Sequence, residues 1–261
     1  MPLHSKRTYL SDYGEHLEKK YDQIGIGYND YRKPDPRITA AINREIGPAG
    51  RIVNIGAGAG SYEPVDRYLV AVEPSEIMIA QRPNNGASIV QGFAESLPFR
   101  DRTFDAGLAI LTTHHWADIS RGFEEAMRVI RKRFLIFTMF DLQEPFWLLD
   151  YFPEIETILM DLHPPIEELE KILGPVRVIP IPIPHDCTDG FLCAYWRRPY
   201  AYLDGGVRNS ISTFSCLSEV QTGLQQLQGD LESGLWHEKY RDLLKKVSMD
   251  FGYRLVVWNR S

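Results

Sequence analysis

The chain has 261 residues, of which 44% are hydrophobic and 25% charged; these are the proportions of an ordinary globular protein and exclude a disordered or fibrous one. Its 29 basic and 35 acidic residues leave a net charge of −6, which repels a long nucleic acid or an anionic membrane and favours a small partner. The strongest apolar run, Phe134 to Phe140, is broken by Thr138 and falls far short of a bilayer span. The opening segment mixes Lys6, Arg7, Asp12 and Glu15 with apolar residues, so no secretory signal is read there and a cytoplasmic location is expected. Cys187, Cys193 and Cys216 are odd in number and are expected to be free thiols in a reducing compartment.

In chain order, β-type runs are expected at 51–55, 68–72, 88–91, 104–110 and 133–140. Helical spacing falls between them at Ile77–Ala80 and Ile119–Ile130, where Phe123, Met127 and Ile130 share a face. This alternation predicts a parallel sheet with right-handed crossovers and a ligand site beyond the carboxyl ends of the strands. Past residue 140 the rhythm changes to a proline-broken aromatic stretch, Phe146 to Pro165, and then a helix at Ile166–Leu173 ended by Gly174-Pro175. Val176–Ile183 reads as a strand, which Pro180, Pro182 and Pro184 confine to an edge or a strand end. Cys187 to Lys246 reads as mainly helical, and Tyr253–Trp258 as a closing strand. The expected architecture is an α/β doubly wound sheet with helices on both faces and a late helical insertion.

The segment Arg51-Ile52-Val53-Asn54-Ile55-Gly56-Ala57-Gly58-Ala59-Gly60-Ser61 is an apolar strand running into three alternating glycines. Gly56 suits a tight turn, Gly58 an approach of ligand to backbone, and Gly60 the close packing of a following helix, whose first amides would face the ligand. The alternative for the triplet alone is a tight strand-to-helix turn with no ligand. Ser61 stands where a dinucleotide fingerprint needs glycine, so nicotinamide and flavin are disfavoured. The second strand ends at Glu73, placed to accept hydrogen bonds from both hydroxyls of a ribose. After the third strand, Phe93 and Ala94 offer a face and backbone amides for a base.

These features occur in the order Asn54-Ile55-Gly56-Ala57-Gly58-Ala59-Gly60, Val72-Glu73-Pro74-Ser75 with Met78, Ala94-Glu95-Ser96-Leu97-Pro98-Phe99, Phe104-Asp105, His114-His115-Trp116 and Arg128-Val129-Ile130. Over roughly residues 20–140 the chain resembles the class I S-adenosylmethionine-dependent methyltransferases, in particular the small-molecule enzymes related to ubiquinone and menaquinone biosynthesis methyltransferases. The resemblance implies a Rossmann-like core and in-line transfer of a methyl group, with S-adenosylhomocysteine as product. It assigns to the cofactor Asn54, Gly56, Ala57, Gly58 and Gly60, then Glu73, Pro74 and Met78, then Phe93, Ala94 and Glu95, and finally Leu111 and Thr112. Tyr21, Tyr28 and Arg32 resemble the family's N-terminal lid over the methionine end, with Arg32 either pairing with the cofactor carboxylate or lying at the surface. Residues 1–141 would form lid and cofactor core, and 142–261 a substrate cover, built from roughly 142–165 and 187–248, plus the last strands.

The chain departs from the family at three places. Asn54 replaces the usual acid before the first glycine, which removes a charge from the cofactor's ammonium. Phe93 replaces an Asp that reads adenine, and Arg131-Lys132-Arg133 replaces a Pro-Gly-Gly turn. His114 and His115 follow the fourth strand, where either can serve as a general base or support the loop. Asp141 either orients the acceptor or caps a helix at Leu142. His185, Asp186, Cys187 and Asp189 fit no zinc spacing; Asp189-Gly190 reads as a turn capped by Asp186, and no metal is expected. Phe146, Trp147, Tyr151, Phe152, Tyr195 and Trp196 suggest an apolar or aromatic acceptor such as a secondary metabolite or quinone precursor. Removing Glu73 is expected to weaken cofactor binding with folding nearly unchanged. The rival readings are a cofactor-binding protein without turnover and a nicotinamide-dependent oxidoreductase. Neither a long nucleic acid partner nor a membrane span is expected, and the assembly is a monomer or homodimer.

Overall fold

A computed structural model describes residues 27–84 and 86–260. Five parallel strands, β1 (Arg51–Ile55), β2 (Tyr68–Glu73), β3 (Ser88–Gln91), β4 (Phe104–Ile110) and β5 (Ile130–Met139), join β6 (Val176–Pro180) and β9 (Tyr253–Asn259) in one sheet of order β3-β2-β1-β4-β5-β9-β6. β9 runs antiparallel to both of its neighbours. β7 (Ile183–Pro184) and β8 (Ser248–Met249) form a separate short ladder. The proline-rich strand lies at the sheet edge as its composition requires, since Val176–Pro180 pairs with β9 alone.

Alternation of side chains divides the core. Ile52, Leu69, Ala71, Leu135 and Phe137 pack on one face with Ile38, Ile42 and Ile46 of helix α2 (Pro36–Ile46) and with the late helical residues. Val53, Val70, Val72, Phe134 and Ile136 pack on the other face with Phe123, Ala126 and Val129 of α4 (Ile119–Val129) and with Leu169 and Leu173 of α6 (Ile166–Leu173). Burying such side chains on both faces contributes about 1.5–3 kcal/mol each. The helices start where the sequence supplies caps: the carboxylates of Asp35 and Asp118 accept from the amides of Arg37 and Arg121. Two short helices, α1 (Tyr28–Tyr31) and α3 (Glu76–Ala80), precede the sheet and follow β2.

Two local expectations are corrected. No helix follows the glycine loop: residues 56–67 are turns, because Gly56, Gly58, Gly60 and Tyr62 have φ of 67°, 50°, 96° and 64°, opposite in sign to a right-handed helix. Arg131-Lys132-Arg133 forms no loop either. The chain passes straight from Val129 into β5, and a shift in the β4–β5 register between Phe104 and Ala106 takes up the extra residues.

The region from 187 to 246 contains α7 (Gly205–Asn209), α8 (Gln221–Glu232), α9 (Leu235–Lys239) and several single turns of 3₁₀ helix. With α5 (Glu154–Leu162) it covers one face of the sheet. Trp147 is its centre, ringed by Phe146, Tyr151, Tyr202, Trp236 and Tyr240. No described helix is long and apolar enough to cross a membrane.

At Gly122 in α4 a Cβ would run into the ring of buried Trp116. Gly122→Ala is therefore expected to destabilise by about 1–3 kcal/mol, although alanine favours a helix by about 1 kcal/mol. Denaturant midpoints measure this, and a stabilised variant would show that Trp116 gives way.

Candidate active site

Strand order reverses between β1 and β4, since the chain moves outward through β2 and β3 before returning to the other side of β1. A cavity of about 830 Å³ opens there, at the carboxyl ends of β1, β2, β3 and β4. Its walls include Tyr28, Arg32, Asn54, Gly56, Ala57, Gly58, Glu73, Pro74, Met78, Phe93, Ala94, Glu95, Leu111, Thr112 and His115. Of the remaining expected residues, Gly60 lies in the same loop but turns toward Arg82 and Glu63, His114 lines an adjoining cavity, and Tyr21 lies outside the described residues.

Each wall is fixed by its own sequence. Gly56 has positive φ and faces Thr112 so closely that a Cβ would overlap the threonine hydroxyl, which brings β1 and β4 together at the cavity floor. Glu73 is buried and accepts hydrogen bonds from the amides of Gly58 at 2.7 Å and Ser75 at 3.1 Å. Burial raises its pKa, and those two amides and Arg82 act against the rise. The loop after β3 is held by Arg128, which donates to the carbonyls of Leu97 and Phe99, while Glu125 accepts from the Leu97 amide. Glu95 accepts from the Asp118 amide at 3.1 Å, so its side chain shapes the loop. Phe93 leaves half of its surface open at the rim.

Arg32 lies neither at the surface nor unpaired. Its Nε donates to Asp189 at 2.7 Å and its Nη1 to the Tyr28 hydroxyl at 2.7 Å. Asp189, read from sequence as a turn residue, is fully buried and also accepts from the Tyr62 hydroxyl at 2.8 Å. Burial opposes the Arg32 charge, but Asp189 together with Tyr28 and Tyr62 outweighs it and keeps the guanidinium ionised. Asp186 caps nothing at this turn and pairs with Arg37 at 2.8 Å. Cys187 is a buried thiol whose pKa burial pushes up to about 12, so this cluster is structural. Asp141 caps no helix, because none begins at 142.

A second, smaller cavity of about 60 Å³ lies behind the first and shares Tyr28, Arg32, Leu111 and His115 with it. Met139, Leu159, Leu162, Phe191, Leu192 and Ile211 give it apolar walls. Leu111, between the two, has φ of 50°, a conformation that costs a non-glycine residue on the order of 1–3 kcal/mol and clusters at functional sites. His114, His115 and His163 stack there, with ring centroids 3.8 Å and 4.9 Å from His114. Burial, followed by the neighbouring histidines and Arg32, lowers His114 well below the usual range; burial, His163 and Arg32 bring His115 to about 3, and burial alone brings His163 to about 4. The expected cover aromatics contribute little here: Phe146, Trp147, Tyr151, Phe152 and Trp196 pack on one another or on Tyr202, Phe214 and Phe251.

Residues 53–137 match the model of a methyltransferase domain. A solved structure from Anabaena variabilis ATCC 29413, described as a candidate methyltransferase of an antibiotic biosynthesis pathway, is 34% identical with a TM-score of 0.80 and covers 87% of this chain and 98% of its own. Two curated relatives match less of the chain. A 2-methyl-6-phytyl-1,4-hydroquinone methyltransferase of Oryza sativa subsp. japonica is 29% identical over 40% of this chain and 33% of its own length. A tRNA (carboxymethyluridine(34)-5-O)-methyltransferase of Saccharomyces cerevisiae is 29% identical over 45% of this chain and 44% of its own; the matches thus span less than half the length of either relative. The chain belongs to the class I S-adenosylmethionine-dependent methyltransferases.

The residues present suit that family's cofactor. The cavity is large enough for a nucleoside carrying an amino acid, Glu73 is a buried acceptor at the end of β2, and the buried Asn54 Oδ1 has no hydrogen-bond partner among the described residues. Glu73→Ala is now expected to act on folding as well as on binding. Losing the acceptor of two amides costs about 1–3 kcal/mol, alongside weaker binding of S-adenosylhomocysteine; thermal melts and calorimetry on one preparation separate the two.

The histidines set a pH dependence. Their folded pKa values lie below the unfolded value near 6.5, so the unfolded state binds more protons at low pH. Stability is unaffected above about 6.5 and falls as pH drops from 6.5 toward 4 and 3, the values of His163 and His115. Chemical denaturation of wild type and His163→Leu across pH 4–7 measures this, and equal slopes would refute it.

Proposed function

We propose that the protein transfers a methyl group from S-adenosylmethionine to a small, largely apolar acceptor of the secondary-metabolite or quinone-precursor kind, at a hydroxyl or other neutral or anionic atom. The observation that carries this reading is the pair of cavities meeting across Tyr28, Arg32, Leu111 and His115. One has the size and polar groups for the cofactor, and the other sets aliphatic and aromatic side chains beside three histidines, Ser212 and Thr213. When bound, the cofactor supplies a sulfonium-activated methyl, which leaves the protein the work of aligning the reactants and excluding water, effects worth roughly 7–11 kcal/mol.

The inner cavity, at about 60 Å³, accommodates the reacting edge of an acceptor and not its whole body, so Leu159, Leu162, Phe191 and Leu192 would grip that edge while the remainder lies toward the larger space. Charge favours a neutral or anionic acceptor over a protonated amine. Arg32 remains cationic beside the histidines, and Asp189 is committed to Arg32 and Tyr62. His114 and His115, held neutral by burial, would orient an acceptor hydroxyl as hydrogen-bonding imidazoles; with a pKa of about 3, His115 is too weak a base to deprotonate an ordinary alcohol. The antibiotic pathway named for the Anabaena protein and the hydroquinone substrate in the name of the rice relative are consistent with such an acceptor. The small volume of the second cavity and the net charge of −6 favour a small acceptor over a nucleic acid.

Calorimetric titration with S-adenosylmethionine, S-adenosylhomocysteine and NAD tests the first half of the proposal. Affinities in the micromolar range, about −8 kcal/mol, are expected for the two sulfur compounds and no binding for NAD; the reverse would establish an oxidoreductase. A panel pairing phenols and hydroquinones with amines of similar shape, read by mass gain of the product, tests the second half. Methylation of amines alone overturns the acceptor chemistry, and binding without transfer to any acceptor supports a non-enzymatic role.

A further inference from the structure

The carboxyl ends of β3, β2, β1 and β4 lie side by side. An adenosine occupying the β3 and β2 loops, near Phe93 and Glu73, would therefore extend its amino acid toward Asn54 at the end of β1. Asn54 is 1% exposed, and its two amide atoms are used unequally. Nδ2 donates to Glu63 Oε1 at 3.0 Å, whereas Oδ1 lacks a partner among the described residues. A carboxylate only accepts hydrogen bonds, so Glu63 fixes which way the amide is turned and leaves its buried carbonyl unpartnered at a residue of the cavity wall.

Glu63 is itself clamped. Arg82 donates through Nη2 to both Glu63 oxygens, at 2.7 and 2.9 Å, and through Nη1 to the Gly58 carbonyl at 3.1 Å. Both side chains are nearly buried, 5% and 10% exposed. Donating to an anion polarises the amide and strengthens its carbonyl as an acceptor.

We propose that Glu63, held by Arg82, is a positioning residue that aims the Asn54 carbonyl at the ammonium of the cofactor's amino acid. The carboxylate the family carries at position 54 is here set one hydrogen bond further back. This rests on the cofactor reading above, and it concerns recognition of the amino-acid end only.

Two thioethers that differ only in that end provide the test: S-adenosylhomocysteine carries the amino acid and 5′-methylthioadenosine lacks it. In Glu63→Gln a side-chain amide replaces the carboxylate, can donate to Asn54 Oδ1 and releases the fixed orientation. Its affinity for S-adenosylhomocysteine, read by calorimetry, is expected to fall roughly tenfold or more, as for loss of a hydrogen bond to a charged group, with 5′-methylthioadenosine unchanged. The double variant Asn54→Asp/Glu63→Gln exchanges the two groups, so that an amide at position 63 donates to a carboxylate at position 54, and is expected to recover the lost affinity. Equal losses for both ligands, or no loss for either, would overturn the inference and leave Glu63 a support of the glycine loop. If Glu63→Gln does not fold, failure of the folded double variant to prefer S-adenosylhomocysteine overturns it. Wild-type protein that binds neither thioether refutes the cofactor reading and this inference with it; wild type that binds both while the variants behave alike refutes this inference alone.

Discussion

The site is organised around one buried carboxylate. Asp189 receives the guanidinium of Arg32 from the N-terminal segment and the hydroxyl of Tyr62 from the glycine loop, while its own segment belongs to the late helical region. Three parts of the chain more than a hundred residues apart at their extremes are thereby joined at one point. Burial and Asp189 push the Tyr62 phenol far above its ordinary range, so it remains a donor. A charge pair sealed from water gives little net stability, but removing one partner strands the other at a cost of about 3–5 kcal/mol. The pair therefore holds the N-terminal segment, the glycine loop and the late helical region in a single relative placement more than it adds to the stability of any of them.

The two cavities differ in how they treat charge. In the larger one, the polar side chains of the wall are held by backbone amides or by the Glu63–Arg82 pair. In the smaller one, burial keeps three histidines uncharged beside a guanidinium. Leu111 stands at the boundary between the two in a left-handed backbone conformation, fixed by the hydrogen bond from its amide to the Phe137 carbonyl at 2.7 Å.

Much of this is legible in the sequence. β1 and β4 keep the expected bounds, because a parallel strand buried on both faces is largely apolar; β3 keeps its bounds as well, although it lies at the sheet edge and is mostly exposed. The edge position of Val176–Pro180 follows from its prolines. Most of the residues assigned from the motifs line the larger cavity, since each follows a strand by a short offset, whereas Gly60 of the same loop turns away from it. What stays hidden depends on partners distant in sequence. Nothing local to Asp189-Gly190 distinguishes a turn from an anchor for Arg32, 157 positions away. The expected helix after the glycines fails because alternating glycines signal positive φ as strongly as they signal a phosphate-type loop. Glu63 and Arg82 escape notice for a related reason: single charged residues in loops are ordinarily solvated, and only their mutual burial marks them. The aromatic-rich insertion reads as a binding surface, yet most of those rings are needed as its own core.

The place of β9 has a consequence for how the chain reaches this state. β5 presents one edge to β4 and the other to β9, so residues 130–139 and 253–259 must meet across an interval of more than a hundred residues. During synthesis at about 5–20 residues per second, the parallel half of the sheet is complete many seconds before its antiparallel neighbour emerges. Until then β5 is an open, strongly apolar edge of the kind that recruits other chains. High contact order slows the closing step further. The nascent chain thus passes through a period in which its five parallel strands have been made while the sheet is still unfinished and Arg32 and Tyr62 still await Asp189.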